Sequence, residues 1–163
     1  MENVVRMLLL LCLTTASTHE VYATESSKAP WGSAKSLEID YHPQKVLYDL
    51  TSGEEAELSN LLDRLGFLYK LYGSDPLDSS IVVIIHGDAI PFFAIKEFNK
   101  HKALMLRAQS LTVGTPIEFR MCKAAAKMMD YTPKDIHGFV KMVPMADAEI
   151  IRLQQEEGYA YMH

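Results

Sequence analysis

The chain has 163 residues, of which 48% are hydrophobic, 23% charged and 9% aromatic, and its formal net charge is −5. These proportions belong to an ordinary globular domain and exclude a collagen, a disulfide-dense miniprotein and a multi-pass membrane protein. Phosphate contacts need a concentrated Lys/Arg surface, and no basic cluster offsets the acidic balance, so no nucleic-acid partner is expected.

The first distinctive stretch is apolar. Met7–Leu13 reads MLLLLCL behind a short start carrying Glu2 and Arg6, and Val21-Tyr22-Ala23 fits a small-x-small cleavage pattern. The run is shorter than the roughly 20 apolar residues that cross a bilayer. Residues 1–23 therefore read as a secretory signal peptide cut after Ala23, with a cut near Ala16 as the alternative and a short uncleaved anchor as the competing reading. No membrane insertion is expected after processing. Of the two cysteines, Cys12 leaves with the signal and Cys122 stays. A single thiol has no internal disulfide partner, so in an oxidising compartment it must be buried, paired with another chain, or used. Asn3, Asn60 and Asn99 all lack a glycosylation sequon, which favours a bacterial periplasm as the location.

Residues 24–43 are polar and rich in Ser, Lys and Pro, an extended lead-in to a single domain over 44–163. Lys45–Leu50 is expected as a strand. Ser52 and Glu55 have capping-box spacing, and Leu58, Leu61, Leu62, Leu65, Leu68, Tyr69 and Tyr72 then recur at helical steps, with Gly73 as the stop. Gly66 inside that helix costs roughly 1 kcal/mol relative to Ala, which points to close packing there. Ile81–Ile85 is five β-branched residues in a row, a strand buried on both faces. Helices are predicted over Pro91–Phe98 and Lys102–Leu111, a strand over Ile117–Met121, a helix over Lys123–Tyr131 and a loop over Thr132–His137. A strand over Phe139–Val143, a helix over Asp147–Glu157 and a last strand over Tyr159–Tyr161 complete the chain. Strands alternating with helices mean right-handed crossovers and an α/β domain, its mostly parallel sheet covered on both faces.

The sequence holds no Gly-x-Gly-x-x-Gly or Walker loop, no Gly-x-Ser-x-Gly elbow, and no His or Cys pair at metal-ligand spacing. Ligands of open α/β sheets bind beyond the carboxyl ends of the strands. Two such ends carry reactive groups: His86-Gly87-Asp88 after the second strand, and Cys122 after the third. Cys122 stands directly before a helix, where free N–H groups and the helix dipole stabilise an anion, and Arg120 and Lys123 flank it with positive charge. The competing reading makes Cys122 a small buried hydrophobe between strand and helix. His86 reads either as a base or donor to a ligand or as a group bonded to a loop carbonyl, and Asp88 as a cap for the following helix.

Three stretches carry a resemblance: IVVIIHGDAI at 81–90, GTPIEFRMCKAAAKMM at 114–129 and VPMADAEIIRLQQEEGYAYMH at 143–163. In that order they resemble the DsrE/DsrF-like proteins, the group that includes subunits of the sulfur-relay complex of sulfur-oxidising bacteria. The resemblance covers Lys45 to His163. It implies a three-layer α/β/α fold with a mainly parallel five-stranded sheet, assembly into a homo-oligomer (a trimer or hexamer), and a cysteine that carries sulfur as a persulfide. Cys122 falls on that cysteine. The functional expectation is a periplasmic sulfur carrier with no metal or organic cofactor, using a thiol-bearing sulfur donor or acceptor. The alternative is a non-catalytic oligomeric module that holds a small ligand or a protein partner in the strand-end cleft near His86 and Cys122.

Overall fold

The computed structural model describes residues 31–75, 77 and 79–163. The expected signal peptide lies outside the described residues. Residues 31–44 have no regular structure, and the chain divides into a unit ending at Glu38 and a folded unit over Ile39–His163.

Five strands build the sheet: β1 Lys45–Leu50, β2 Ser80–Ile85, β3 Ile117–Cys122, β4 Val140–Val143 and β5 Ala160–Met162. Their spatial order is β4-β3-β2-β1-β5, and every neighbouring pair is parallel. Helix α1, Glu55–Leu71, and helix α2, Lys102–Thr112, join β1 to β2 and β2 to β3; α3, Lys123–Met128, and α4, Ala146–Glu157, follow β3 and β4. The expected three-layer α/β/α arrangement is present, with a sheet that is parallel throughout.

Strand residues alternate between two cores. On the first face Val46, Tyr48, Leu50, Val83, Ile85, Phe119 and Met121 pack with Leu58, Leu62 and Leu65 of α1 and Met105 and Ala108 of α2. On the second, Leu47, Val82, Ile84 and Cys122 pack with Ala146 and Leu153 of α4 and with Tyr159. Strand β2 lies at the centre, and Ile81–Ile85 are all 0% exposed. A fully buried aliphatic side chain contributes about 1.5–3 kcal/mol relative to an exposed one, so this strand anchors both layers.

Several boundaries differ from expectation for identifiable reasons. The start of α1 has no capping box. Ser52 Oγ accepts from the Glu54 N–H at 3.1 Å, and the Glu55 carboxylate turns instead to His101. Gly66 meets no close packing: a Cβ there would find its nearest neighbour, Leu111 Cδ2, at 3.9 Å. The Pro91–Phe98 helix is replaced by two 3-10 turns, Gly87–Phe93 and Ile95–Glu97. Ala94 between them is extended and forms an antiparallel bridge with Ile136, which stops the helix at Phe93. Helix α3 ends at Met128 rather than Tyr131 because Asp130 takes a left-handed φ of 62°, and the Tyr131 N–H returns to Ala126 O at 2.9 Å.

Candidate functional site

Cys122 is the last residue of β3 and the N-cap of α3, and its Sγ accepts a hydrogen bond from the Ala125 N–H at 3.4 Å. The residue is 5% exposed and packs in the second core with Ala146, the first residue of α4. Two connections part here. Helix α3 delivers Ala126 to the first core, whereas α4, after the neighbouring strand, delivers Ala146 and Leu153 to the second. The Ala124 N–H bonds Pro144 O at 3.2 Å and ties the two departing segments together.

His86 leaves the sheet beside Cys122. Ile85 pairs with Met121, and the His86 N–H still bonds Leu50 O at 3.1 Å, so the ladder runs one residue past the end of β2. Adjacent strands lie about 4.8 Å apart, which makes His86 and Cys122 neighbours on the rim. Both follow the alternation of Ile84 and Arg120, so both belong to the second face. The loop beyond His86 is clipped to the loop beyond β1 by the Ala89 N–H, which bonds Thr51 O at 3.1 Å. Gly87 makes this turn at φ 57°, and a Cβ on it would sit 3.3 Å from Thr51 O.

The imidazole is held from the other side. His86 Nε2 is 2.7 Å from Asp49 Oδ1, and the Tyr161 hydroxyl donates to Asp49 Oδ2 at 2.8 Å. Asp49 is thus the centre of a Tyr161–Asp49–His86 chain that links β5, β1 and the end of β2. The bond to Asp49 raises the Tyr161 phenol above its ordinary range, with burial adding to the effect. With Asp49 accepting from Nε2–H, Nδ1 is the ring nitrogen not engaged by the carboxylate. Among the described residues Nδ1 has no hydrogen-bond partner.

Arg120 lies two residues before Cys122, with its charge committed elsewhere. It donates to Glu118 at 2.8 and 3.0 Å and to Glu149 of α4 at 2.6 Å. Burial pushes Glu118 upward, but bonds from Lys141 and Arg120 outweigh it and hold the carboxyl below its usual range. Arg152 and then Arg120 hold Glu149 down against burial. Lys123 is exposed at the first position of α3.

The sequence-predicted residues therefore separate. His86, Gly87 and Cys122 share the rim, and Arg120 lies beneath it in an ion-pair network. Asp88 is exposed, makes no helix-capping bond, and lies against Gly53. It lines a different opening, a cleft of about 600 Å³ that also includes Glu55, Phe92, Lys100 and the buried His101. Sequence reasoning missed Asp49 and Tyr161. Asp49 had a signal, since a carboxylate next to the end of an apolar strand needs a partner on burial. Tyr161 had none. Among the described residues no three His, Cys, Asp or Glu side chains gather in a way that could hold a metal ion. No helix among them is long and apolar enough to cross a membrane.

A solved structure of a protein of unknown function from Methanobacterium thermoautotrophicum has a similar fold. The TM-score is 0.59 at 19% sequence identity, over 73% of this chain and 97% of that one. At this identity the similarity is one of fold alone. No protein-family model matches the chain, and no curated protein matches it in sequence.

Proposed function

We propose that the protein is an exported, DsrE/DsrF-like sulfur carrier in which Cys122 takes up sulfane sulfur as a persulfide and passes it to a second thiol. The observation that carries this reading is the position of Cys122 where the connections after β3 and β4 part toward opposite faces. In open parallel sheets that divergence is the place where ligands bind. The sequence stretches around His86, Cys122 and the C-terminus, which resemble the DsrE/DsrF-like pattern, support the choice of chemistry.

The reaction needs no oxidant. The Cys122 thiolate attacks the outer sulfur of a polysulfide, a new S–S bond forms, and the shortened polysulfide leaves with the electron pair of the broken bond. An acceptor thiol then attacks the outer sulfur of the persulfide with loss of its proton, the S–S bond to Cys122 breaks, and its electron pair stays on Sγ. Met7–Leu13 and Val21-Tyr22-Ala23 support export to the periplasm, which predicts a mature N-terminus at Thr24; an intact Met1 in an envelope fraction contradicts it. Assembly as a trimer or hexamer rests on the family resemblance, and a monomer mass in light scattering contradicts it.

The 5% exposure of Cys122 favours a second reading, a non-catalytic oligomeric binding module. Alkylation separates the two. A carrier thiol is modified by iodoacetamide in the native protein at neutral pH. A thiol that reacts only after denaturation supports the binding module.

A further inference from the structure

We infer that His86, positioned by Asp49, is the proton-handling group for sulfur transfer from Cys122. The inference rests on the sulfur-carrier reading and adds to it a base and a positioning residue. Three observations support it. His86 follows β2 and Cys122 ends β3, each one residue beyond the paired Ile85 and Met121 of these adjacent strands, and the strand alternation sets both on the second face. Asp49 accepts from Nε2–H at 2.7 Å, and Tyr161 fixes the opposite oxygen of the same carboxylate at 2.8 Å, so Nε2 is engaged and Nδ1 is the ring nitrogen left for an incoming group. The imidazole is 26% exposed against 15% for Asp49, so the ring is open to an incoming molecule.

The step is an exchange between an acceptor thiol and the persulfide anion. The acceptor S–H gives its proton to His86 Nδ1 as its sulfur attacks the outer sulfur of the persulfide. The S–S bond to Cys122 breaks, and its electron pair stays on Sγ. His86 returns the proton to Sγ, so the products are the acceptor persulfide anion and the Cys122 thiol. Sulfane sulfur moves without any net oxidation. Asp49 touches neither sulfur; it positions the base.

The test uses two acceptors on the whole protein loaded with polysulfide. Glutathione near neutral pH brings a proton that must be removed, whereas cyanide supplied above the pKa of hydrogen cyanide attacks the same outer sulfur as an anion without one; each variant is compared with wild type under the same conditions. His86→Gln retains a side-chain N–H for Asp49 and loses the base. It is expected to slow transfer to glutathione about 100-fold and to leave cyanolysis within about twofold of wild type. Asp49→Asn is expected to give a smaller, about tenfold, loss with the same selectivity. Equal slowing with both acceptors is what a merely structural role gives, and it overturns the inference. So does unchanged transfer to glutathione in His86→Gln when both proteins load sulfur normally. Wild-type protein that takes up no sulfur overturns the sulfur-carrier reading, and this inference with it.

Discussion

Arg120 and Glu149 meet at 2.6 Å across the second face of the sheet, and through this contact strand β3 grips helix α4. The pair belongs to a wider network. Arg120 also binds Glu118, Lys141 binds Glu118 from β4, and Arg152 binds both Glu149 and Glu157 along α4. Every charge in it has an opposite neighbour, which is the condition for keeping half-buried charges without a large desolvation cost.

This network predicts how stability falls in acid. Glu118 and Glu149 both have carboxyls held below their ordinary range in the folded protein. Their contribution is complete above the unfolded carboxyl value, about 4.3, and is lost as pH falls through the lower folded values. Urea unfolding at a series of pH values is expected to show a decline below about pH 4.3 that is shallower in the Glu118→Gln, Glu149→Gln double variant. Identical slopes in variant and wild type would contradict this assignment.

Gly87 sets the turn that carries His86 out of the sheet. Its φ of 57° is a conformation that disfavours any Cβ, and the Thr51 carbonyl stands 3.3 Å from where that atom would be. Gly87→Ala is expected to destabilise the domain by about 1–2 kcal/mol from the backbone conformation alone. Chemical denaturation at neutral pH measures it, and an unchanged midpoint would show that the loop relaxes freely.

Gly66 gives the opposite result. It lies inside α1, and the closest atom to an added Cβ is 3.9 Å away, an ordinary contact. Gly66→Ala is expected to stabilise the protein by about 0.5–1 kcal/mol, read as a higher urea midpoint with unchanged slope. A destabilised variant would mean that Leu111 cannot accommodate the methyl group.

What could be read from the sequence follows from how local its causes are. Strand β1 is legible in the sequence to the residue, and β2 and β3 to within one, because β-branched runs and apolar alternation are set by the residues themselves. The helix expected at Pro91–Phe98 is absent because a bridge from Ala94 to Ile136, distant in sequence, breaks it. The position of Cys122 was legible from a strand-to-helix boundary. The commitment of Arg120 to Glu118 and Glu149 was not, since one partner comes from α4. The same holds for Tyr161 and Asp49, joined only when the C-terminal strand pairs beside β1.

The central claim is that Cys122 carries sulfane sulfur. The most direct measurement is mass spectrometry of the native protein after incubation with polysulfide, followed by mapping of the peptide that contains Cys122. The account predicts the added mass of one sulfur atom on that peptide, removed by cyanide and absent from a folded Cys122→Ser variant. An unmodified Cys122 peptide from protein whose thiol is shown by alkylation after denaturation to be free would contradict it.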